Sequence, residues 1–379
     1  MKVVVAHNRY ASGTPSGENA VVDADIADLR AAGVEVLPFL RSSDSITSLS
    51  PSLAVSPLWS SQRALAALLR ATRPDVVHLH NPYPLLSPFV IRTAHAHGVP
   101  VVQTVHNYRH SCVSGVYFRS GSPCTLCSSS RLPWPAVVHG CYRGSRPASL
   151  VMASALAAHR STFGQVDLFL APSPVVADHL VSYGVPAARI VVKPNAVPDP
   201  GPPAPLGDGF LFAGRPAPEK GLDLLLAAFA LSGSPAPLRI AGAPSVASGQ
   251  SSVEYLGVLP PSAVRDAIRS CAVVVVPSLW PEVLPTIALE ALAAGRPVLG
   301  TSVGGIPFAI GEAGWTVPPT VDALASALPR ALAEAPSLTS AARQRFLTHY
   351  HPRVVTSQLL AAYATLPAPT PPTSPRPPR

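Results

Sequence analysis

The sequence predicts an α/β protein with two doubly wound domains that face each other across a cleft, each a parallel sheet covered by helices on both faces. Short valine-rich apolar runs alternate with segments of helical periodicity along most of the chain. Repeated strand–helix units of this kind favour parallel sheets. The alternation stops in one stretch rich in proline and glycine and then resumes, and 379 residues exceed what one hydrophobic core usually supports. The strand–helix alternation, its interruption and the length of the chain therefore predict two domains.

The interruptions set the predicted boundaries. Residues 1–195 form the first domain, which contains an irregular insertion over 107–147. The stretch AVPDPGPPAPLGDG, 196–209, is a linker because it has many turn-forming residues and no periodicity. The second domain spans 210–340. A tail over 364–379, rich in proline, cannot pack a core and is expected to be disordered.

Each element follows from its local pattern. The predicted strands of the first domain are, in order, KVVVAHN, VEVLPFL, DVVHLHN, VPVVQTVHN, DLFLAPS and RIVVKPN. Helical spacing, as at Val22, Ile26 and Leu29, predicts the helices between them. In the second domain, the strands FLFAG, LRIAG, VEYLG, CAVVVVPS and RPVLGT alternate with helices near 220–231, 262–270 and 286–294.

The positive charge of the chain lies mainly in its first half. The net charge is +8, and residues 1–200 carry 16 basic against 10 acidic side chains. Such an excess is typical of proteins that meet nucleic acid, anionic lipid or phosphorylated ligands, and a solvated surface explains it equally well. Basic and aromatic residues are not interleaved as in nucleic-acid-binding proteins, so no nucleic-acid partner is expected.

No apolar run is long enough to predict a membrane-spanning helix. The start, MKVVVAHNRY, has too short an apolar run for a signal peptide and is interpreted as the first strand. The expected location is cytoplasmic, with peripheral contact at the inner face of an anionic membrane left open. Thiols stay reduced in the cytosol, so the five cysteines do not predict a disulfide framework.

Two glutamates stand in the apolar stretch SLWPEVLPTIALEALAAGRPVLGT. Ligands of parallel sheets bind beyond the carboxyl ends of the strands, and Glu282 follows the predicted strand CAVVVVPS there. The segment Leu284, Pro285 and Thr286 is expected to form the start of a helix. The free N–H groups of a helix start suit a phosphate. Glu290 lies one turn later on the same face. The two carboxylates would then hold the ends of a sugar–diphosphate–nucleoside; a solvated Glu290 and a turn-flanking Glu282 are the alternative.

Two cations are predicted at the same edge of the second sheet. In FLFAGRPAPEKGLDLLLAAF, Gly214 and Arg215 leave the first strand and Lys220 begins the next helix. A guanidinium and an ammonium together suit a diphosphate. The chain has no Walker-type or dinucleotide-binding glycine fingerprint, which argues against an NTPase or a dehydrogenase.

Arg215, Lys220, Glu282 and Glu290, in this order and setting, resemble glycosyltransferase family 4. The resemblance extends over about residues 1–363. It implies a GT-B fold of two Rossmann-like domains, transfer with retention of anomeric configuration, no catalytic metal, and a nucleotide-diphosphate sugar as donor. In the family, the matching arginine and lysine contact the donor diphosphate. The second glutamate binds the ribose and the first contacts the donor sugar.

The first domain carries a weaker part of the resemblance. Gly17 and Glu18, in PSGENAVV, are similar to the Gly-Gly-x-Glu loop that faces the donor. His106, in TVHNYR, matches a histidine near the transferred sugar. The fold also implies that a helix near 341–363 crosses back to the first domain, so that the lobes can close over the donor. The departures from the family pattern, which blur the choice of donor, are Ser16, Asn195 followed by alanine, Val283 and Phe308.

The implied mechanism stabilises the leaving diphosphate with Arg215, Lys220 and the helix N-terminus in place of a metal. The Asp-x-Asp pair that could hold a metal, Asp23 and Asp25, falls on a predicted helix where the two side chains point apart, so both are expected to be solvated. Retention is expected from front-side attack, with the leaving phosphate taking the acceptor proton. Covalent catalysis by Glu282 is the alternative.

Four cysteines lie in the insertion. Cys112, Cys124, Cys127 and Cys141 are separated by eleven, two and thirteen residues, a pattern that favours a structural zinc site. Unrelated thiols, a redox pair and an iron–sulfur cluster remain alternatives, and Cys271 is expected in a core. The insertion also contains five arginines: Arg109, Arg119, Arg131, Arg143 and Arg146. Either they contact phosphate or anionic lipid beside the acceptor, or they only keep the insertion soluble.

His78 and His80 share one face of a predicted strand and are expected to be structural, with His80 near the cleft. The sequence as a whole predicts a glycosyltransferase acting on a glycan, lipid-linked or small-molecule acceptor. A same-fold epimerase, a zinc-containing nucleic-acid-binding protein and a non-catalytic sugar-nucleotide sensor are the rival hypotheses.

Overall fold

The structure is a computed structural model that describes residues 1–12, 16–45, 59–128, 130–244 and 252–370. It contains two six-stranded parallel sheets and one short antiparallel hairpin. The sheets are joined by the linker and by the C-terminal helix. No helix among the described residues is long and apolar enough to cross a membrane.

The first domain is built on a parallel sheet whose inner strands are buried except at the two ends of the first strand. Its strands and the hairpin are β1 (Lys2–Arg9), β2 (Glu35–Ser42), β3 (Val76–Leu79), β4 (Val101–Thr104), β5 (Phe118–Arg119), β6 (Ser122–Pro123), β7 (Leu168–Ala171) and β8 (Ile190–Val192). The sheet order is β2-β1-β3-β4-β7-β8, with β5 and β6 paired separately. Its helices are α1 (Gly17–Ala31), α2 (Trp59–Thr72), α3 (Phe89–Ala96), α4 (Trp134–Val138), α5 (Arg146–Phe163) and α6 (Pro174–Tyr183).

The insertion packs onto the first domain rather than standing apart. It holds the hairpin β5–β6 and the short helix α4. Tyr108, Val113, Tyr117 and Cys127 are buried in the same apolar cluster as residues of β3 and β4. The insertion therefore shares the core of the domain that carries it.

The second domain repeats the architecture. Its strands are β9 (Phe210–Ala213), β10 (Leu238–Ala241), β11 (Val253–Gly257), β12 (Val273–Val276), β13 (Val298–Thr301) and β14 (Gly314–Val317), in the order β11-β10-β9-β12-β13-β14. Its helices are α7 (Leu222–Ser232), α8 (Pro261–Ser270), α9 (Thr286–Ala293), α10 (Ile306–Ile310) and α11 (Val321–Arg345). The neighbouring strands β9 and β12 place the loops that follow them side by side.

The linker is fixed against the second domain. The guanidinium of the buried Arg296 donates to the carbonyls of Ala204 and Pro205, at 3.1 and 2.7 Å. Asp199 pairs with Arg343 at 2.8 Å. These contacts give a stretch without periodicity one defined path.

The segment predicted as one helix over 341–363 is divided in three. Helix α11 runs to Arg345, a π-helical turn covers Phe346–Tyr350, and α12 (Pro352–Ala364) follows because Pro352 suits a helix start. Helix α12 crosses to the first domain, where Tyr363 is buried with residues of β1 and α1. In the tail that the sequence predicts to be disordered, the N–H of Thr370 donates to the carbonyl of Gly98 at 2.9 Å. The rest of the tail, 371–379, lies outside the described residues.

Candidate active site

A buried ion pair lies at the carboxyl edge of the second sheet. Lys220 Nζ donates to Glu282 Oε1 at 2.6 Å, and Ser278 Oγ donates to the same oxygen at 2.7 Å. Glu282 is buried, Lys220 is partly exposed, and the ammonium lies 5.5 Å from the centre of the Trp280 ring. The lysine is thus held between a carboxylate and an aromatic face, with part of its ammonium left open.

Close contact between two loops creates this pair. The N–H of Leu279, after β12, donates to the carbonyl of Glu219, after β9, at 2.8 Å. Gly221 has a φ of +71°, and a Cβ there would come within 1.9 Å of the Pro277 carbonyl oxygen. Only glycine allows that approach, so Gly221 in the Glu-Lys-Gly stretch is required for the packing of the two loops.

A third loop supports Glu282 from behind. The N–H of Gly305 donates to the Glu282 carbonyl at 2.6 Å. Gly304 has a φ of +57°, and a Cβ there would lie 2.4 Å from the Glu282 nitrogen. The sequence interpretation missed this element; its signal is the glycine pair shortly after β13.

Arg215 lies at the rim of the site. Its side chain is 54% exposed and pairs with Glu219 at 3.4 Å. Gly214, directly after β9, donates its N–H to the carbonyl of Ala241 at the end of β10. The structure therefore brings Lys220 and Glu282 into direct contact and leaves Arg215 on the solvent side of them.

Two helix N-termini meet at the boundary between the domains. Helix α9 begins at Thr286 after the buried Leu284, and its N-cap residue, Pro285, has no side-chain capping bond. A Cβ on Gly17, the first residue of α1, would lie 3.5 Å from Thr286 Oγ1. Each helix start carries about half a positive charge, so their meeting point suits an anion.

Glu290 borders a recess of about 360 Å³ beside the linker. Burial raises the pKa of Glu290 to about 7, and the nearby Arg265 partly opposes that shift. The other lining residues are Pro198, Pro200, Ile268, Arg269 and Ala294. Glu290 lies about 6 Å along α9 from Thr286, which separates it from the Lys220–Glu282 pair.

The first domain presents two neutral histidines at the mouth of its sheet. His106 Nε2 and His80 Nδ1 are hydrogen-bonded at 2.8 Å, and the two rings are stacked. Burial lowers the pKa of His106 to about 3 and holds the pKa of His80 well below its ordinary value. Both imidazoles are therefore uncharged at neutral pH.

Glu18 is held by groups that the motif did not include. Its Oε2 accepts from Tyr10 OH at 3.2 Å and from Asn107 Nδ2 at 3.3 Å, and Arg109 donates to Tyr10 OH at 3.2 Å. Burial raises the pKa of the Glu18 carboxyl, and the charge of Arg109 opposes that shift. Asn107 and Arg109 begin the insertion, so the insertion contributes directly to the site.

Glu18, His80 and His106 line a recess of about 320 Å³. In the described part of the chain, five of its lining residues have a buried polar atom without a protein partner: Glu18 Oε1, His80 Nε2, Tyr83 OH, Gln103 Oε1 and Arg109 Nε. Such groups are costly unless water or a ligand satisfies them. The recess is thus suited to a hydroxylated molecule.

Two family models match the chain. Residues 3–196 match a model described as "Glycosyl transferase 4-like domain", and residues 207–334 match one described as "Glycosyl transferases group 1". The first match alone covers more than half of the sequence. The chain belongs to the glycosyltransferase 4-like family.

Similar proteins support the fold of this glycosyltransferase. The D-inositol 3-phosphate glycosyltransferase of Segniliparus rotundus is 29% identical over 244 residues, so the chain spans about half (54%) of that relative and the match covers 54% of this chain. Sucrose-phosphate synthase from Thermosynechococcus elongatus has a TM-score of 0.67 at 18% identity, over 96% of this chain and 98% of that one. Anabaena Alr3699/HepE, solved with UDP and glucose, has a TM-score of 0.63 at 15% identity, over 97% and 100%. The predicted GT-B fold is confirmed.

One expectation about the first domain of the glycosyltransferase is wrong. Asp23 is solvated and pairs with Arg9, but Asp25 is buried and lies 3.4 Å from the buried ammonium of Lys193. Asp25 shares the inner face of α1 with Val22 and other core residues. Its partner comes from the end of β8, which the sequence pattern could not place beside it.

Asp25 also lies near His78 and His80, and one ligand atom from each falls within 4.8 Å of the others. Both ring nitrogens of His78 are already hydrogen-bonded, to Thr104 Oγ1 and to Tyr363 OH, each at 2.7 Å. With the ammonium of Lys193 against Asp25, this group of side chains favours a hydrogen-bonded network over a metal site.

The four cysteines of the insertion are free thiols in one region of the glycosyltransferase. Burial raises the pKa of Cys127 to about 11, and the neighbouring Cys112, Cys141 and Cys124 raise it further. Within the described ranges, no three of these sulfurs come within 4.8 Å of one another. Cys271 is buried in the second core, as predicted.

Proposed function

We propose that this glycosyltransferase moves a hexosyl group from a nucleotide-diphosphate sugar to a glycan, lipid-linked or small-molecule acceptor, with retention and without a catalytic metal. The observation that carries the proposal is the Lys220–Glu282 pair, together with the meeting of the α9 and α1 starts at Thr286 and Gly17, next to Glu18, which shares a recess with the neutral His106. Positive charge is thereby concentrated where a leaving diphosphate would sit.

The donor diphosphate binds at Lys220 and the start of α9 in this proposal. Lys220 keeps donor capacity beyond its bond to Glu282 because an ammonium has three N–H groups. The exposed Arg215 can swing onto the diphosphate from the rim. Charges held in place before reaction stabilise the charge that develops as the sugar–phosphate bond breaks.

Glu282 has a double role in this scheme. Its Oε1 holds Lys220 and Ser278, which leaves Oε2 as the atom for a hydroxyl of the donor sugar. That arrangement supports positioning rather than covalent attack. The acceptor oxygen attacks the anomeric carbon on the face that the phosphate leaves, and a phosphate oxygen takes the acceptor proton, so no protein group changes its protonation state.

The nucleoside lies along α9, with its ribose at Glu290. The recess beside the linker supports this placement, because it adjoins Glu290 one turn from the helix start. The similar structure solved with UDP makes uridine the first base to test. His106, uncharged and anchored by His80, would hydrogen-bond the transferred sugar without repelling positive charge at the anomeric carbon.

A structural zinc ion held by Cys112, Cys124, Cys127 and Cys141 is part of the proposal. The spacing and the proximity of the four thiols support it, although the sulfurs would have to move closer to reach tetrahedral coordination. The zinc content of the purified chain, compared with that of a Cys124→Ser/Cys127→Ser variant, tests it.

The decisive experiment measures transfer by the purified chain from nucleotide sugars to a panel of acceptors. We expect Lys220→Ala to lower kcat by about 10²–10³-fold, as for loss of one preorganised donor, while circular dichroism at the assay temperature shows that the variant remains folded. Lys2→Ala, at the opposite edge of the first sheet, is the matched control. Near-normal turnover by Lys220→Ala would refute the assignment. NMR of the product anomer tests retention, and activity in EDTA tests metal independence.

A further inference from the structure

Exposed apolar side chains are concentrated on the insertion and the helix that follows it. Five large ones form what we call the insertion patch: Leu126, Leu132, Trp134, Val138 and Leu150, each between 43% and 55% exposed. The rest of the described first domain exposes few side chains of this kind. Large exposed apolar groups that cluster in this way mark interaction surfaces.

Contacts and helical spacing place the members of the patch near one another. Cys127, next to Leu126, contacts the carbonyl of Pro133 at 4.0 Å, and Pro133 lies between Leu132 and Trp134. Trp134 and Val138 are one turn apart on α4. Arg146 Nε donates to the Val138 carbonyl at 3.1 Å. Leu150 is one turn beyond Arg146 on α5.

Positively charged side chains lie beside the patch, and the stretch of sequence that carries the patch has no acidic residue. Arg131, Arg143 and Arg146 are exposed beside it. No aspartate or glutamate occurs anywhere between Asp75 and Asp167. The surface is therefore complementary to an anion, and its aliphatic and indole groups are complementary to an apolar layer.

We propose that the insertion patch docks the protein on an anionic lipid bilayer. Tryptophan favours the headgroup level, leucine and valine enter the acyl boundary, and arginines meet lipid phosphates. A protein partner fits less well, because stable interfaces use about 20–30 residues a side. Nucleic acid would leave the four aliphatic side chains without a counterpart.

The patch and the candidate site share one structural unit. The insertion begins at Asn107, which bonds Glu18, and the neighbouring Tyr108 packs edge-on against Trp280. A bilayer bound at the patch would therefore bring lipid-linked acceptors close to the cleft. That extension rests on the proposed function, whereas the docking surface does not.

The test is sedimentation of the full chain with vesicles of phosphatidylcholine alone or mixed with phosphatidylglycerol. We expect binding to the anionic vesicles only, weakened by salt. Replacing the three arginines by glutamine should lower the partition coefficient by about 100-fold, at about fivefold per arginine. Trp134→Ser should lower it about tenfold. Leu231→Ser and Arg353→Gln, equally exposed changes in the second domain and on α12, should leave it unchanged.

Two further measurements keep the outcome unambiguous. Tryptophan fluorescence should shift to the blue with anionic vesicles, and Trp134→Phe should abolish the shift while binding persists. Lys220→Ala, inactive by proposal, should bind vesicles like the unchanged chain, so that failure of catalysis and failure of docking are separable. The proposal would be overturned if the chain bound neutral vesicles equally well, or if the arginine variant bound anionic vesicles as the unchanged chain does. It would also be overturned if the patch mediated dimers or DNA complexes in place of vesicle binding.

Discussion

The mouths of the two sheets differ in their chemistry. In the second domain, Lys220 and Glu282 have opposite charges 2.6 Å apart, next to a helix start without a side-chain cap. In the first domain, His106 and His80 are joined by a hydrogen bond, and burial holds the pKa of His106 at about 3, so both rings are neutral. The Lys220–Glu282 pair offers charge, whereas the His106–His80 pair offers uncharged donors and acceptors.

This difference matches the two halves of a glycosyl transfer. A leaving diphosphate gains negative charge and is stabilised by fixed positive groups. The sugar carbon gains positive character, which a protonated histidine beside it would oppose. Burial of the first mouth therefore has a chemical consequence, because it keeps the two imidazoles neutral.

The largest expected effect is on the buried ion pair beneath the neutral mouth. Lys193→Met leaves the buried carboxylate of Asp25 without its cation and should lower the free energy of unfolding by about 3–5 kcal/mol. The double variant Lys193→Met/Asp25→Asn should recover much of the loss because no buried charge remains. Urea unfolding at neutral pH measures both.

The same helix supplies the control. Asp23 lies two residues from Asp25 but pairs with Arg9 in solvent, so Arg9→Met should cost at most about 1 kcal/mol. Equal losses for Lys193→Met and Arg9→Met would show that burial of the Asp25 pair has no special weight. A Lys193→Met chain as stable as the unchanged chain would also show that burial gives the Asp25 pair no special weight.

The sequence predicted the charged mouth far better than the neutral one. Lys220, Glu282, Thr286 and Glu290 lie in loops and a helix whose positions follow from strand order, so local motifs predict their shared edge. The neutral mouth depends on contacts between distant positions: Asp25 bonds Lys193 across 168 residues, and His78 bonds Tyr363 across 285. No periodicity reports such pairs. The helix–strand alternation predicted the six strands of the first sheet and five of the six strands of the second; it did not predict β14.

Acid should destabilise the first domain, which has buried neutral histidines, more than the second domain. Burial lowers the pKa of His179 to about 4 and that of its partner His110 to about 3. Between about pH 6.5 and 4 the unfolded chain binds these protons and the native chain does not, so stability falls as pH falls, by about 1.4 kcal/mol per pH unit for each histidine.

His179→Gln isolates one such histidine. Glutamine can keep hydrogen bonds to His110 and Ser111 but cannot titrate, so the slope of unfolding free energy against pH should become shallower by one proton. His139→Gln, at an exposed position on the insertion, is the matched change and should leave the slope as it was. Urea titrations from about pH 7 to 5 measure both, and identical slopes for the two variants would contradict the assignment.

The smallest expected effect concerns nucleotide binding at Glu290. Burial holds the pKa of this carboxyl at about 7, so near neutrality about half of the molecules carry a neutral Glu290. Ribose hydroxyls donate to the charged form, and binding should therefore favour deprotonation. With UDP as the probe, we expect the Kd to fall about tenfold between about pH 6 and 8 through this group alone.

The terminal phosphate of UDP titrates over part of the same range, with a pKa of about 6, so the slope of the unchanged chain is not sufficient by itself. Glu290→Gln supplies the baseline, because glutamine keeps the size of the side chain and cannot ionise. Calorimetry of both proteins should give a steeper pH dependence for the glutamate, and the excess should be centred near pH 7. Parallel curves would mean that UDP does not meet Glu290. An excess of the opposite sign would mean that the protonated carboxyl donates to the ligand, and the ribose assignment would then have to be replaced.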